Sequence, residues 1–385
     1  MKLPRNAQIW LPGYVLGRVN QWKSFTPSPK RAWLSICDHF EPLWNKANVS
    51  TARGRVHLWR ERWPVISSRV RDSAGNAPRY TFFYPQEEYL PELLDPLAEM
   101  THASIADVEV HIHHERETRE EFVRKMTEYC SVLHQQHGLL RRRDDGKLTF
   151  GFIHGDWALD NSLPDGRCCG LTGEIGVLHD LGCYADFTMP SGNSLTQART
   201  VNTIYWCKRD PSRPKAYDYG IAIEVGGGID GDLLMIPGPL GIRWKGRLLP
   251  RFEVGELAGN DPPTLYRVRR WFDIAPRIGE DLFIKLYTHG AQERNSSALL
   301  NGALSELFAL ISQEAARRAC RLYFVSSWQT YLAIDAIRRR LDPLEAAINS
   351  RNGEAGIRSR ANDHDTSGEV MGSSCALLRG RSNKC

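Results

Sequence analysis

Ala32-Trp33-Leu34-Ser35-Ile36-Cys37-Asp38-His39 is a short apolar run that stops on an acid and an imidazole. Runs of this length, rich in β-branched and aromatic side chains, read as buried strands. The same arrangement recurs along the chain. Val108-Glu109-Val110-His111-Ile112-His113-His114 ends in histidines, with Glu115 and Glu117 just beyond. Phe150-Gly151-Phe152-Ile153 closes on His154 and Asp156, and Cys183-Tyr184-Ala185 closes on Asp186. Leu282-Phe283-Ile284-Lys285-Leu286-Tyr287-Thr288 closes on His289. Polar groups at the carboxyl ends of successive buried strands are how α/β barrels and open α/β sheets assemble active sites. Imidazole and carboxylate are also the usual nitrogen and oxygen ligands of zinc and related metals. The pattern points to a metal-dependent enzyme.

Longer helical patterns separate the runs, which predicts a βα repeat and a parallel sheet. A helix is expected over 55–72, with Leu58, Trp59, Val65, Ile66 and Val70 as apolar positions and Pro64 kinking or dividing it. Tyr80-Thr81-Phe82-Phe83-Tyr84 reads as the second strand, and Pro91 opens a helix in the first-turn position it tolerates. The helix over 118–137 carries Phe122, Met126, Tyr129 and Leu133 at spacings of three and four, and Thr118 with Glu121 suits its N-cap. Strands are expected over 148–153 and 184–187, around a short helix over 173–181. Between 200 and 260 many Gly and Pro residues predict short strands and loops. A helix over 264–278, a strand over 282–288 and a long helix over 299–319 follow. Residues 1–30 read as an N-terminal extension and 31–345 as one α/β catalytic domain. The stretch 346–385, rich in Gly, Ser, Asn and Arg without period, reads as a disordered tail in which Cys375 and Cys385 are incidental.

The 385 residues can bury a large core, and the 42% apolar and 25% charged fractions are those of an ordinary soluble globular protein. A net charge of +5, from 50 basic against 45 acidic residues, comes with no basic stripe interleaved with aromatics, so nucleic-acid binding is not expected. Arg141-Arg142-Arg143, followed at once by acidic residues, reads as a solvated turn. No stretch approaches the ~18 apolar residues of a membrane span, and the N-terminus lacks the apolar core of a signal peptide. A cytoplasmic protein is expected. The nine cysteines include no CxxC pair, which disfavours thiolate zinc and a disulfide framework.

With the strands in order, the chain resembles the polysaccharide deacetylase (NodB-homology, carbohydrate esterase family 4) superfamily. Asp38-His39, with Pro42 after it, stands where that family closes its first strand on Asp-Asp, and Thr81-Phe82-Phe83 matches its next landmark. Glu109-Val110-His111-Ile112-His113, with Glu117 four residues on, is similar to the family's second motif; 150–156 and 184–190 fall at its third and fourth motifs, and Leu286-Tyr287-Thr288-His289 at its last. The likeness spans residues 30–290. His39 stands in place of a metal-binding Asp, Glu117 in place of a ligand His, and no Arg-Pro-Pro-Tyr motif is present. The resemblance implies a distorted (β/α) barrel with a divalent metal, zinc foremost and cobalt, manganese or nickel as alternatives.

The expected activity is hydrolytic removal of an N- or O-acyl group from a glycan or sugar-containing precursor. The metal polarises a carbonyl and lowers the pKa of a water, while side chains move protons. On this expectation Asp38 is the base, His289 and Asp156 assist catalysis, and His39, His113 and Glu117 hold the metal. His111, His114, His154, Trp157, Asp160 and Asp186 then line the carbohydrate site. Within a strand His111 and His113 share a face and His114 turns away. Gly155 is read as permitting an unusual backbone angle. Trp59, Trp63 and Trp271 read as core, and Trp44, Trp157 and Trp206 as sugar platforms. Two rival functions remain: a metal-free glycoside hydrolase using Asp38 and Asp156, and a non-catalytic glycan-binding scaffold. The enzyme readings require Asp38, His113 and His289 in one cleft.

Overall fold

The computed structural model describes residues 6–23, 28–143, 145–245 and 249–349. A helix α1 (Ala7–Lys23) precedes the first strand β1 (Arg31–His39). There follow α2 (Val49–Ser67), β2 (Tyr80–Pro85), α3 (Pro91–His102), β3 (Ala106–Ile112) and α4 (Arg119–His137). The short β4 (Arg141–Arg142) leads into β5 (Leu148–His154), α5 (Glu174–Asp180) and β6 (Cys183–Asp186). The middle supplies β7 (Tyr205–Cys207), β8 (Ile221–Ala222), β9 (Leu233–Met235) and the hairpin of β10 (Gly241–Lys245) with β11 (Leu249–Glu253). The last part holds α6 (Leu265–Ile274), β12 (Arg277–Ile278), β13 (Asp281–Thr288), α7 (Glu293–Ala298), α8 (Leu304–Arg317), β14 (Arg321–Phe324) and α9 (Ser327–Arg338).

Twelve strands form one mostly parallel sheet in the order β12-β13-β1-β2-β3-β5-β6-β9-β7-β8, with β14 on β1 and β4 on β5. β1 is the hub. Its residues Arg31–Asp38 pair with β13, while on its other edge Arg31–Leu34 pair with β14 and Cys37–His39 pair with β2. The strands alternate strictly. Ala32, Leu34 and Ile36, with Phe82, Val108, Val110 and Phe152, pack on Trp59, Trp63, Leu97 and Met126 of the flanking helices. Trp33, Cys37, Phe83, Ile153 and Tyr184 face the other way, onto Trp328, Tyr331 and Ile334 of α9. Both faces are therefore buried, the condition under which parallel strands become near-continuous apolar runs. No described helix is long and apolar enough to cross a membrane.

The capping box at Thr118 and Glu121 forms as its spacing predicts, and Pro64 lies inside an unbroken α2. Other expectations are corrected. The helix expected over 299–319 is split by a wide turn at Leu299–Ala303, where Gly302 takes a φ of 141°. Arg141 is not in a solvated turn: its guanidinium pairs with Asp107 and Glu109 at 2.8 Å each and lies 5.0 Å over the Trp328 ring. Trp206 is buried in the α9 face and offers no platform, whereas Trp44 is exposed. Within the N-terminal extension, α1 packs on the rest of the chain, with Trp10 fully buried against Val201, Leu240 and Phe252. Glu345–Asn349 makes a further helical turn with Ala347 buried, and the tail expected beyond it lies outside the described residues.

Candidate functional site: two histidine clusters at the carboxyl end of the sheet

Parallel strands in register bring their ends together, so residues far apart in sequence meet. His39 ends β1, His111 lies opposite Ile153, and Asp38 lies opposite Thr288. The first cluster forms on the face of β1 that carries Cys37. The His39 ring stands 4.8 Å from that of His289 and 5.3 Å from that of His111, and His111 stands 4.6 Å from His113. Glu41, two residues past β1, reaches in. Its Oε1 is 3.4 Å from His111 Nε2 and 3.6 Å from His113 Nε2. One ligand atom each from His39, Glu41 and His111 lies within 4.8 Å of the others.

The imidazole tautomers are set from behind. His111 Nδ1–H donates to Ile153 O at 2.8 Å, which leaves Nε2 facing the cluster. The His113 Nδ1 contacts the Glu87 carboxylate, and Glu87 also accepts from the His113 backbone N–H at 3.2 Å. Imidazoles braced at one nitrogen and presented at the other are the usual metal-site arrangement. Burial, reinforced by the neighbouring imidazoles, holds His39 well below the ordinary histidine range and so neutral. For His113 burial works the other way from its partners, and the Glu87 and Glu41 carboxylates win, raising it to about 9. Burial also opposes ionisation of Glu41, yet the His111 hydrogen bond and imidazole charges bring it below the usual carboxylate range.

Trp157 closes one side, its ring 5.7 Å from His39 and 5.8 Å from His289. Its indole Nε1 is buried and has no hydrogen-bond partner among the described residues. Asp156 is exposed beside it, and both residues adopt positive φ (52° and 55°). Gly155 does not. Its lack of a side chain serves space, because a Cβ there would stand 2.2 Å from His113 Cδ2. Below the cluster the Lys285 amine, buried and brought down to about 8, donates to Met189 O at 2.7 Å.

The second cluster is fully interior. His114, one residue beyond His113, points away from the first cluster toward His154, with the two Nε2 atoms 2.8 Å apart. Glu174 Oε1, at the start of α5, lies 3.3 Å from His114 Nε2 and 3.5 Å from His154 Nε2, and Cys169 Sγ lies 3.5 Å from Glu174 Oε2. These four side chains also place ligand atoms within 4.8 Å of one another. Glu117, expected beside His113, instead contacts His114 Nδ1 at 3.3 Å and pairs with Lys125.

Asp38, expected as the base, is on the opposite face of β1 from His39, as strand alternation requires. Its carboxylate accepts from Tyr80 Oη–H at 2.9 Å and Gly290 N–H at 2.6 Å, and burial raises it to about 7. His113 and His289 thus share a cleft, while Asp38 braces the turn that carries His289. Asp160, expected at the substrate, is buried and accepts from Gly173 N–H at 2.8 Å and Ala216 N–H at 2.7 Å. Asp186 is likewise buried and accepts from Thr188 N–H at 3.0 Å and Thr188 Oγ1–H at 2.7 Å. Four residues of the clusters escape a strand-end reading: Glu41, Glu87, Cys169 and Glu174. All four sit in loops or at a helix start, where no period marks them. The nearest signals are the acids just after the strand ends at His39 and Pro85. In comparisons with known proteins, no family model and no curated protein matches the chain.

Proposed function

We propose that the chain is a metal-dependent hydrolase that removes an N- or O-acyl group from a glycan or sugar-containing precursor, on a distorted (β/α) barrel of the polysaccharide deacetylase kind. The observation that carries this reading is the convergence of His39, Glu41 and His111 at the carboxyl ends of β1 and β3. The donor set fits a divalent metal. Two buried imidazoles, one with its far nitrogen already committed to a backbone carbonyl, stand beside a carboxylate held ionised. When bound there, the metal supplies Lewis acidity toward an acyl carbonyl and lowers the pKa of a water.

The surrounding residues have work that suits this chemistry. His289, half-buried and held below the ordinary histidine range by desolvation, is the candidate to take the water proton. His113, backed by Glu87 and a third exposed, is the candidate to return a proton to the leaving group. Trp157, half-buried, offers an aromatic face to a sugar ring. Asp38 acts through Gly290, fixing His289, and is a positioning residue. A paired-carboxylate glycosidase draws no support, because the Asp38 carboxylate faces Tyr80 and Asp156 stands out in solvent.

Elemental mass spectrometry on the purified chain and on His111→Ala, beside acetate release from acetylated chito-oligosaccharides and O-acetyl sugars, tests the proposal. We expect a metal equivalent that depends on His111, and acetate release lower by roughly 100-fold or more in the variant. A chain that takes up no His111-dependent metal on titration, or a variant as active as its parent, would overturn it.

A further inference from the structure

The geometry points to a second metal site, closed and structural, in which His114 Nε2, His154 Nε2, Cys169 Sγ and a Glu174 carboxylate oxygen hold one divalent ion of the zinc type. This site stands apart from the proposed catalytic one and does not depend on it. Tetrahedral coordination at bonds of ~2.0–2.3 Å separates ligand atoms by ~3.3–3.8 Å. The His–His and His–Glu174 Oε1 contacts run from 2.8 to 3.5 Å, Cys169 Sγ stands 3.5 Å from the other Glu174 oxygen, and the four ligand atoms all lie within 4.8 Å of one another. The donor set is mixed nitrogen, sulfur and oxygen, which favours zinc over magnesium or calcium.

The second observation is the state of the atoms that do not face the centre. His154 Nδ1–H donates to Gly155 O at 2.6 Å, so its Nε2 carries the lone pair. His114 turns Nδ1 toward Glu117 Oε2, and both of those atoms are buried without a hydrogen-bond partner. A proton placed on His114 Nε2 would satisfy the contact with His154. In a neutral ring it would then leave a bare Nδ1 facing a carboxylate. An ion at the centre removes that conflict: both Nε2 lone pairs bind it, and His114 Nδ1–H keeps its carboxylate.

Cys169 is placed to join them. Its Sγ accepts from Asn161 N–H at 3.3 Å and Leu171 N–H at 3.4 Å, and its thiol proton, held on by burial and by Glu174, points to Glu174 Oε2 at 3.5 Å, where a bound ion would take its place. Glu174 is fully buried, accepts from Asp160 N–H at 2.7 Å, and has no Lys or Arg partner among the described residues. With that proton displaced, the buried carboxylate and thiolate would carry two negative charges, which one divalent ion balances. All four coordination positions come from the protein and none opens to solvent, the mark of a structural site.

Its task follows from where the ligands lie. His114 and His154 follow β3 and end β5, whereas Cys169 and Glu174 lie across the segment 155–173. That segment carries Asp156, Trp157, Asp160, Asn161 and Cys168 at positive φ, a conformation that persists only where surroundings enforce it. The ion would clamp this segment, and with it the Trp157 ring against His39.

Cobalt substitution of the full-length chain tests the site, because a cobalt–thiolate bond has a near-ultraviolet charge-transfer band that a nitrogen and oxygen site lacks. Cobalt-loaded parent should show the band with about two metal equivalents. His111→Ala should keep the band with about one equivalent, and Cys169→Ser should lose it. Absence of the band in the loaded parent overturns the inference without recourse to any variant. So does a band unchanged by Cys169→Ser, or a His111→Ala chain that holds no metal. Failure of the proposed catalytic metal alone would instead leave one equivalent and an intact band in the parent.

Discussion

Gly155 shows how one missing side chain holds the first cluster in place. A Cβ at this position would stand 2.2 Å from His113 Cδ2, 2.5 Å from His113 Cγ and 2.8 Å from Ile112 O. The backbone carbonyl cannot yield, so the imidazole must turn, and turning it breaks the His113–Glu87 contact. Gly155→Ala should therefore fold with its core intact, because the apolar layers lie below. The proposed acyl hydrolysis should drop by roughly 10- to 100-fold, the usual cost of misplacing a general acid. Steady-state kinetics beside near-ultraviolet circular dichroism checks this; wild-type turnover in a well-folded variant would refute the role given to the His113 ring. Gly290 is constrained in the same way from the other face of β1. A Cβ there would meet Asp38 Oδ2 at 2.1 Å and Trp59 Cζ2 at 2.7 Å.

The C-terminal turn of α8 is the element where charge and helix geometry can be separated by pH. Glu314 sits near the negative end of the helix dipole, which opposes a carboxylate there. Arg317 offsets this at 2.6 Å, with Arg318 at 2.7 Å, and these partners bring Glu314 down to about 2. A depressed carboxyl stabilises the fold above its unfolded pKa and loses that contribution as pH falls through its folded value. Glu314→Gln should lower stability at pH 7 by about 1–2 kcal/mol, less than the full shift implies because both arginines reach solvent. The deficit should shrink as pH falls from about 4.5 toward 2. Urea titrations at several pH values measure it, and a gap constant with pH would reject the ion-pair account. Elements of this kind differ in how far sequence reveals them. The strands β1, β2, β3, β5 and β13 are legible because both their faces are buried and a polar residue or, for β2, a proline stands at or just past each end. The β10–β11 hairpin and α1 are not, since their apolar faces serve a small satellite core and leave no long period. β14 is four residues long, and its pairing with the lower half of β1 depends on a neighbour 290 positions away in register (Arg31 with Arg321). At the site, the strand-end histidines were readable, and so was the turning of His114 away from His111 and His113, but the partners that complete each cluster were not. His113 and His114 are adjacent and continue the alternation of β3 just past its end at Ile112, so they go to different partners, but Glu41, Glu87, Cys169 and Glu174 come from segments that carry no period.

At the scale of the whole molecule, both clusters lie at one end of the sheet and share the segment that starts after β5. Trp157 belongs to the first cluster and Cys169 to the second, with Asp160 between them tied to Gly173 and Ala216. Glu117 N–H donates to Cys169 O at 3.2 Å, and Cys168 N–H donates to Glu115 at 3.0 Å, so the segment is also sewn to the loop after β3. The sheet itself owes little to these contacts, because its two apolar cores run through β1 to β6 and α9. Stability should therefore be uneven, with this end opening before the rest. A ligand bound only to the folded chain contributes about 4 kcal/mol at a thousand times its Kd. Withdrawing the ions with a chelator should thus lower the thermal midpoint by several degrees. Before global unfolding, it should also speed tryptic cleavage at Arg167, which is exposed in the shared segment. In His111→Ala the chelator should still produce both effects, since the interior cluster remains. In Cys169→Ser the Arg167 site should be open from the start and respond little to chelation. Peptide mapping of the timed digests reads this out. Cleavage at Arg167 that ignores the chelator in the parent chain would show that no ion holds the segment, and that its hydrogen bonds alone suffice.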